Sequence, residues 1–149
     1  MRKILFTNTD GSLSVVHPVC NTIGETLITD AEIEQRAWDK LPVNAINPVF
    51  VDESAIPTDR TFRNAWEHGG NSVIQNITKA KNIAHDKRRQ ARSAEFAPLD
   101  IKATIPSEAV EAEAARALIR TKYAEMQAEI DADTTINALT ARIEALENK

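Results

Sequence analysis

Three histidines and one cysteine are the residues of this 149-residue chain that most often do chemistry. His17, His68 and His85 are scattered along the chain, without acidic partners at the spacing of a metal site or a catalytic triad. Cys20 has no second cysteine with which to form a disulfide or a thiolate site, so we interpret it as a buried, unreactive thiol. The sequence therefore predicts no metal site, no catalytic site and no cofactor.

The other common signatures of enzymes are missing from the sequence as well. It has no paired carboxylates, no nucleophile with a base and no glycine-rich loop that could hold a phosphate. Asn76-Ile77-Thr78 has the form of a glycosylation sequon, but we interpret Asn76 as the N-cap of a helix. These observations predict a protein that is not an enzyme.

A basic cluster is the next candidate for function. Lys81, His85, Arg88 and Arg92 recur at spacings of four, three and four, with Arg89 adjacent, so they share one face of a helix. Such a face is typical of nucleic-acid binding. The whole chain is nevertheless acidic, with a net charge of −4. We predict that Lys81, Arg88, Arg89 and Arg92 form an electrostatic contact face for acidic groups, with nucleic-acid binding as the alternative.

The distribution of charge supports this interpretation. Residues 1–75 and 98–149 each carry a net charge of −4, whereas residues 76–97 carry +4. Three glutamates follow the basic segment and could pair with it in a helical hairpin: Glu108, Glu111 and Glu113.

The end of the chain carries a heptad pattern. Ile136, Leu139, Ile143 and Leu146 repeat at spacings of three, four and three, and Arg142 to Glu147 resembles the short motif of parallel three-stranded coiled coils. In such a trimer the Arg142 guanidinium would pair with Glu147 of the adjacent strand. We predict a homo-oligomer, favouring a trimer, whose interface is formed by Ile136, Leu139, Arg142, Ile143, Leu146 and Glu147. The alternative is a helix that packs back on its own chain or on a partner protein.

Short strands and one helix precede the basic cluster. Residues 3–7 and 12–19 predict a hairpin around Asn8–Gly11, with Leu13 on its core face and Pro18 ending the pairing. Thr29 and Glu32 form a capping box for a helix over 30–40, and residues 48–51 suit a short strand.

Phe62 and Trp66 fit one face of a helix or of a strand equally well. The following Gly69-Gly70 and the β-branched residues after it favour a hairpin. We predict Phe62, Trp66 and Trp38 as core anchors.

The second half of the chain predicts helices. One spans residues 77–96 and ends before Pro98, and a linker then leads to Pro106. A long helix follows, with the seam Ala112, Ala115, Ile119, Tyr123, Met126 and Ile130. The seam then shifts phase, so we expect a break at 131–134, with Asp133 or Thr134 capping a final helix. The many alanines in this second half of the chain bury little area each, which again indicates an oligomer.

The middle of the chain resembles a known group of proteins. Residues 56–66 read IPTDRTFRNAW, and a short hairpin and a helix containing DKRRQAR follow them. With the strand, Thr-Asp-Gly and strand of the N-terminus, this pattern resembles small proteins of tailed phages and prophages, some labelled tail or tail-fibre assembly proteins. The resemblance covers roughly residues 1–100. Pro106 and the alanine-rich helix depart from the pattern.

The resemblance implies a structural or assembly protein that contacts other tail, fibre or neck proteins. It implies no catalytic residues, and a location in the virion or in host cytoplasm during assembly. A transient chaperone that is not retained in the particle is the alternative. No signal peptide and no membrane-spanning run is evident in the sequence.

These observations together predict an α+β protein with four segments. They are a β-rich module over 1–75 with one short helix, a basic helix over 76–97, a linker over 98–106 and a helical, coiled-coil arm over 107–149.

Overall fold

The computed structural model describes residues 1–19 and 28–147, and it has the predicted α+β composition. The chain forms two compact units, Met1–Asn76 and Ile77–Lys149. All the strands described belong to the first unit. The basic helix and the two later helices form the second unit, so the basic helix and the predicted arm are parts of one body. Cys20 lies outside the described residues.

A three-stranded antiparallel sheet forms the centre of the first unit. Strand β1 (Lys3–Thr7) lies between β2 (Leu13–Val16) and β3 (Ile46–Val51). The predicted turn between β1 and β2 is confirmed, because the Asn8 amide donates to the Ser12 carbonyl at 2.8 Å and Gly11 has a φ of 81°. Strand β2 ends at Val16, three residues earlier than predicted, just before Pro18, which cannot donate to the sheet.

Strand β3 begins at Ile46, two residues before the predicted start, and contains a bulge. Leu5 pairs with Val49 but Thr7 pairs with Ile46, so β3 holds one extra residue there. Asn47 absorbs it with a φ of 50°, a conformation that asparagine tolerates better than most residues. Its neighbour Pro48 has no amide hydrogen to contribute at this position.

Helix α1 (Asp30–Asp39) connects β2 and β3 along the chain, and its start follows the prediction. The Thr29 side chain accepts from the Glu32 amide and the Glu32 carboxylate accepts from the Thr29 amide, which completes the capping box. Ile33 is buried, as expected for the apolar stripe of the helix.

The core of the first unit combines the sheet with the central hairpin. Strands β4 (Trp66–His68) and β5 (Val73–Gln75) form the predicted hairpin around Gly69 and Gly70. Gly70 has a φ of 84°, and a Cβ on Gly69 would lie 2.7 Å from the Ile74 side chain, so both positions require glycine. The cluster of buried residues comprises Leu5, Val51, Ile56 and Trp66, with the predicted core face of β2 packed against it.

The second unit contains three helices, α2 (Ile77–Lys102), α3 (Ala109–Ala132) and α4 (Ile136–Glu147). The prediction that Pro98 ends the basic helix is wrong, as is the linker that began there. Pro98 and Ala94 are both exposed, so the Ala94 carbonyl that loses its helical donor can be hydrated instead. The helix therefore continues to Lys102.

The break between α3 and α4 is confirmed, but its cap is not the predicted residue. The Thr135 hydroxyl accepts from the Ala138 amide at 3.3 Å, whereas Asp133 is the C-cap of α3. The predicted seam of α3 is confirmed as well, since Ala112, Tyr123 and Ile130 are buried along it.

Contacts between side chains define how the three helices run. Asp100 pairs with Arg116 at 3.1 Å and His85 contacts Asp131 at 3.0 Å, so α2 and α3 form an antiparallel hairpin. Glu147 at the end of α4 pairs with Lys87. Helix α4 therefore runs beside the first half of α2, and the second half of the hairpin extends past it.

Candidate functional site

The predicted basic face lies against the last turns of α3. Lys81 Nζ donates to the backbone carbonyl of Asp131 at 2.7 Å, and His85 Nε2 lies 3.0 Å from the Asp131 carboxylate. The C-terminal end of a helix carries partial negative charge, so a lysine there satisfies a free carbonyl and also interacts favourably with the helix dipole. Lys81 and His85 thus fasten one helix of the unit to another.

Arg88 is buried in the hairpin. Its guanidinium donates to the Tyr123 carbonyl at 2.9 Å, and its Nε has no hydrogen-bond partner in the described part of the chain. Burial, with additional repulsion from Arg89 and Arg92, lowers the pKa of Arg88. A side chain in this position supports the packing of two helices and is not available to a phosphate backbone.

The two remaining arginines of the face are exposed. Arg89 pairs with Asp86 on its own helix, and the Arg92 guanidinium lies 5.1 Å from the centre of the Phe96 ring. The basic face therefore divides into an inner part, Lys81 and Arg88, and an outer part, Arg89 and Arg92.

The acidic partners are not the predicted ones. Glu113 pairs with Arg116 and Arg120 on its own helix, and Glu108 and Glu111 lie near the start of α3. Because α2 continues through Pro98, the antiparallel hairpin brings the basic residues opposite the far end of α3. Asp131 replaces the predicted glutamates there.

The predicted trimer interface is occupied within the single chain. Leu139 and Ile143 are fully buried, and Ile136 and Leu146 are half-buried. The alternative interpretation, a helix that packs back on its own chain, describes this arrangement. The trimer stays a prediction, and it requires α4 to leave the unit before Leu139 and Ile143 can meet another copy.

Arg142 likewise has partners within its own chain. Its Nε donates to Asp133 Oδ2 at 2.5 Å and its Nη1 donates to Glu129 Oε2 at 2.6 Å. The hydrogen bond to Asp133 is the main reason that the pKa of Arg142 is raised. Arg142 and the Lys87–Glu147 pair therefore hold the middle and the C-terminal end of α4 in place.

Of the predicted core anchors, Phe62 and Trp66 are confirmed. Both are buried in the first unit, although the indole Nε1 of Trp66 has no hydrogen-bond partner among the described residues. Trp38 is only half-buried, which corrects its prediction as a core anchor. Its ring stacks on Phe50 at a centroid distance of 4.7 Å, because it lies beside the apolar stripe of α1 rather than on it.

An ion pair between the exposed Arg2 and the buried Glu34, beside this aromatic stack, was not predicted. Arg2 Nε and Nη2 donate to Glu34 Oε2 at 2.9 and 2.7 Å, and the guanidinium carbon lies 4.3 Å from the centre of the Phe50 ring. Hydrogen bonds from the side chain and the backbone of Arg2 lower the pKa of Glu34. Spacing could not reveal this pair, because its two residues belong to different elements.

A cavity of about 360 Å³ opens between the end of β2 and α1. Its lining combines apolar side chains with three basic side chains, those of His17, Arg36 and Lys40. Burial away from water lowers the pKa of His17, and so do the positive charges of the nearby Lys3 and Arg60. The lowered pKa favours the neutral imidazole. The described residues of its lining include no carboxylate.

The histidines do not meet in space at a common ligand. His68 Nδ1 accepts from the Gly70 amide at 3.1 Å within the hairpin, while His17 lines the cavity and His85 contacts α3. Within residues 1–19 and 28–147, no group of three or more metal-ligand side chains comes together.

The described helices include none that is long and apolar enough to span a membrane. Comparisons with protein-family models, curated proteins and solved structures give no match for this chain.

Proposed function

We propose that this chain is a non-enzymatic structural or assembly protein of a tailed phage, and that it acts by protein–protein contact in the tail or fibre region. The proposal begins from the pattern DRTFRNAW and the arginine-rich helix that follows it. In the structure the first of these patterns supplies the buried Phe62 and Trp66, and the second supplies the buried Arg88. Both patterns thus have structural roles, as expected for markers of a fold rather than of an active site.

The observation that carries the proposal is the character of the surface of the second unit. Three large apolar side chains are mostly exposed there, Ile101 at 68%, Val110 at 85% and Leu118 at 74%. Several of the charges near them are paired within the unit, as Asp100 is with Arg116 and Glu95 is with Lys122. A surface that exposes apolar groups and pairs its charges internally suits a protein partner better than a nucleic acid.

Mass spectrometry of purified particles of the encoding phage or prophage tests the proposal. A structural protein is expected in the particles at a fixed copy number relative to the tail proteins. A transient chaperone, the second form of the proposal, is expected in the lysate in complex with a tail or fibre protein and to be missing from the particles. Recovery of the chain only as a free protein would contradict both forms.

A matched variant makes the lysate experiment specific. Leu118→Asp places a charge on the exposed apolar surface and is expected to reduce recovery of the tail or fibre partner by at least about tenfold. Glu144→Gln changes an exposed residue of α4 and serves as the control, with unchanged recovery. Equal recovery with both variants would remove the second unit from the proposed contact.

A further inference from the structure

The second unit contains a shallow slot that we infer to be the contact site for a second copy of this chain. The slot lies on the half of the α2–α3 hairpin that extends past α4. The inference concerns self-association alone and does not depend on a role in a phage particle.

One wall of the slot continues the face of α2 on which α4 packs. Glu147 at the end of α4 pairs with Lys87, and beyond Lys87 the same face of α2 continues through Ala91, Ala94, Pro98 and Ile101. Ala94, Pro98 and Ile101 are exposed, so no part of the described chain covers this stretch. The stripe carries no charged residue between Lys87 and Ile101.

Leu118 on α3 forms the other wall. Arg142 of α4 contacts Glu129, and Leu118 precedes Glu129 by about three helical turns, so it lies on the same side of α3. The ion pair between Lys122 and Glu95 joins the two helices across the slot, at the level between Ala94 and Pro98. The two walls beside this ion pair are apolar, with exposed Ile101 on one wall and exposed Leu118 on the other.

The slot is complementary to itself. Its large side chains, Ile101 and Leu118, lie toward the turn of the hairpin, and its small ones, Ala91 and Ala94, lie toward α4. If two α2 helices pack antiparallel around a two-fold axis midway between Ala94 and Pro98, Ile101 of one copy faces Ala91 of the other. Leu118 then lies beside Ala94 of the second copy, so large groups meet small ones throughout.

The charged residues at the two ends of the slot are consistent with the same antiparallel register. The pairs Asp100–Arg116 and Glu95–Lys122 show which residues of α2 and α3 lie opposite each other along the hairpin. In this alignment Glu111 lies just beyond Ile101, near the turn. The antiparallel arrangement brings Lys87 of the second copy to that level. Glu111 is exposed and can therefore pair with Lys87 across the interface.

The size of the slot sets the expected strength of the contact. Ten residues of α2 span about 15 Å, and the two neighbouring helices together are about 20 Å wide, so each copy buries on the order of 300 Å². A standard specific interface buries about 800 Å² per partner. We therefore expect a weak, reversible dimer rather than a permanent one.

Sedimentation equilibrium of the full chain, from roughly 5 to 500 µM, tests the inference. The average mass is expected to rise with concentration from 16.5 kDa toward twice that value. Ile101→Asp and Leu118→Asp are expected to raise the Kd at least about tenfold. Both residues are exposed in the single chain, so circular dichroism should show unchanged folding.

Two further variants make the test specific. Val110→Asp alters an equally exposed apolar residue that lies past the end of the slot, level with the turn, and should leave the Kd unchanged. Glu111→Lys is expected to raise the Kd about threefold or more, by replacing attraction to Lys87 with repulsion. A monomeric wild-type chain at every concentration, a trimer indifferent to the Asp variants, or an equal loss with Val110→Asp would each overturn the inference.

Discussion

The ion pair between Arg2 and Glu34 combines three effects at one carboxylate. The guanidinium donates two hydrogen bonds to Glu34 Oε2, the Arg2 amide donates a third to Oε1, and the cation lies on the Phe50 ring. Hydrogen bonds to the ionised form lower the pKa of a carboxyl group, which agrees with its lowered pKa. Glu34 therefore links the start of β1, α1 and the aromatic stack through its charge.

The Glu34 carboxylate predicts a pH dependence of stability. A lowered folded-state pKa contributes stability above the unfolded-state value of about 4.5, and that contribution disappears as the pH falls through the folded-state pKa. Glu34→Gln should therefore lower the Tm at pH 7, and the difference from wild type should narrow below pH 4.5. Tryptophan fluorescence, which reports on Trp38 in the adjoining stack, is the measurement.

Glu53→Gln is the matched control for this experiment. Glu53 is exposed, and its Oε1 lies 3.8 Å from Lys3 Nζ. Its substitution should therefore change the Tm little at any pH. A Tm difference for Glu34→Gln that stays constant down to pH 3 would contradict the assigned role of the charge.

At the scale of elements, the helical seams were predictable and their partners were not. Tyr123 and Ile130 fall on a spacing that one helix must bury, so the sequence alone identifies them. The heptads of α4 are just as clear, but a narrow apolar stripe fits a neighbouring helix of the same chain as well as another copy. Arg142 shows why: its partners Asp133 and Glu129 lie across the turn between α3 and α4, beyond the reach of any local motif.

Helix α4 is expected to depend on Arg142. Arg142→Ala removes hydrogen bonds to two carboxylates at a partly buried site and should lower the free energy of unfolding by about 1 to 2 kcal/mol. Urea unfolding followed by circular dichroism measures the change. Arg120→Ala removes a more exposed pair with Glu113, and should lower the free energy of unfolding much less.

The same variant tests the predicted trimer. If Arg142 and Glu147 join three copies, Arg142→Ala should reduce the average mass in sedimentation. If α4 remains on its own chain, the mass should be unchanged while the stability falls. A loss of mass without a loss of stability would contradict the intramolecular role of Arg142.

At the scale of the whole molecule, the net charge of the chain indicates the use of the basic residues better than the charge of their own segment does. The basic segment is conspicuous in the sequence, yet of its four predicted contact residues Lys81 and Arg88 are used within the second unit, while Arg89 and Arg92 are exposed. The sequence identified the cluster but could not place it. Its level against α3 depends on α2 continuing through Pro98, which in turn depends on the exposure of that turn.

We therefore expect no strong binding of nucleic acid. At about 150 mM salt the protein should bind duplex DNA with a Kd weaker than about 100 µM, as measured by fluorescence anisotropy. The double variant Arg89→Ala with Arg92→Ala should behave like the wild type. Tight binding that weakens steeply with added salt, and that this double variant abolishes, would restore the nucleic-acid alternative.

The bulge in β3 has a consequence for aggregation. An edge strand offers unpaired amides and carbonyls to the edge of any other sheet, and unchecked pairing of this kind leads to fibres. Strand β3 is such an edge, and Asn47 with Pro48 interrupts it by a left-handed residue and a missing donor. A protein proposed to act by contact thus blocks one indiscriminate route of self-assembly on its sheet, and leaves association to helix faces whose side chains can select a partner.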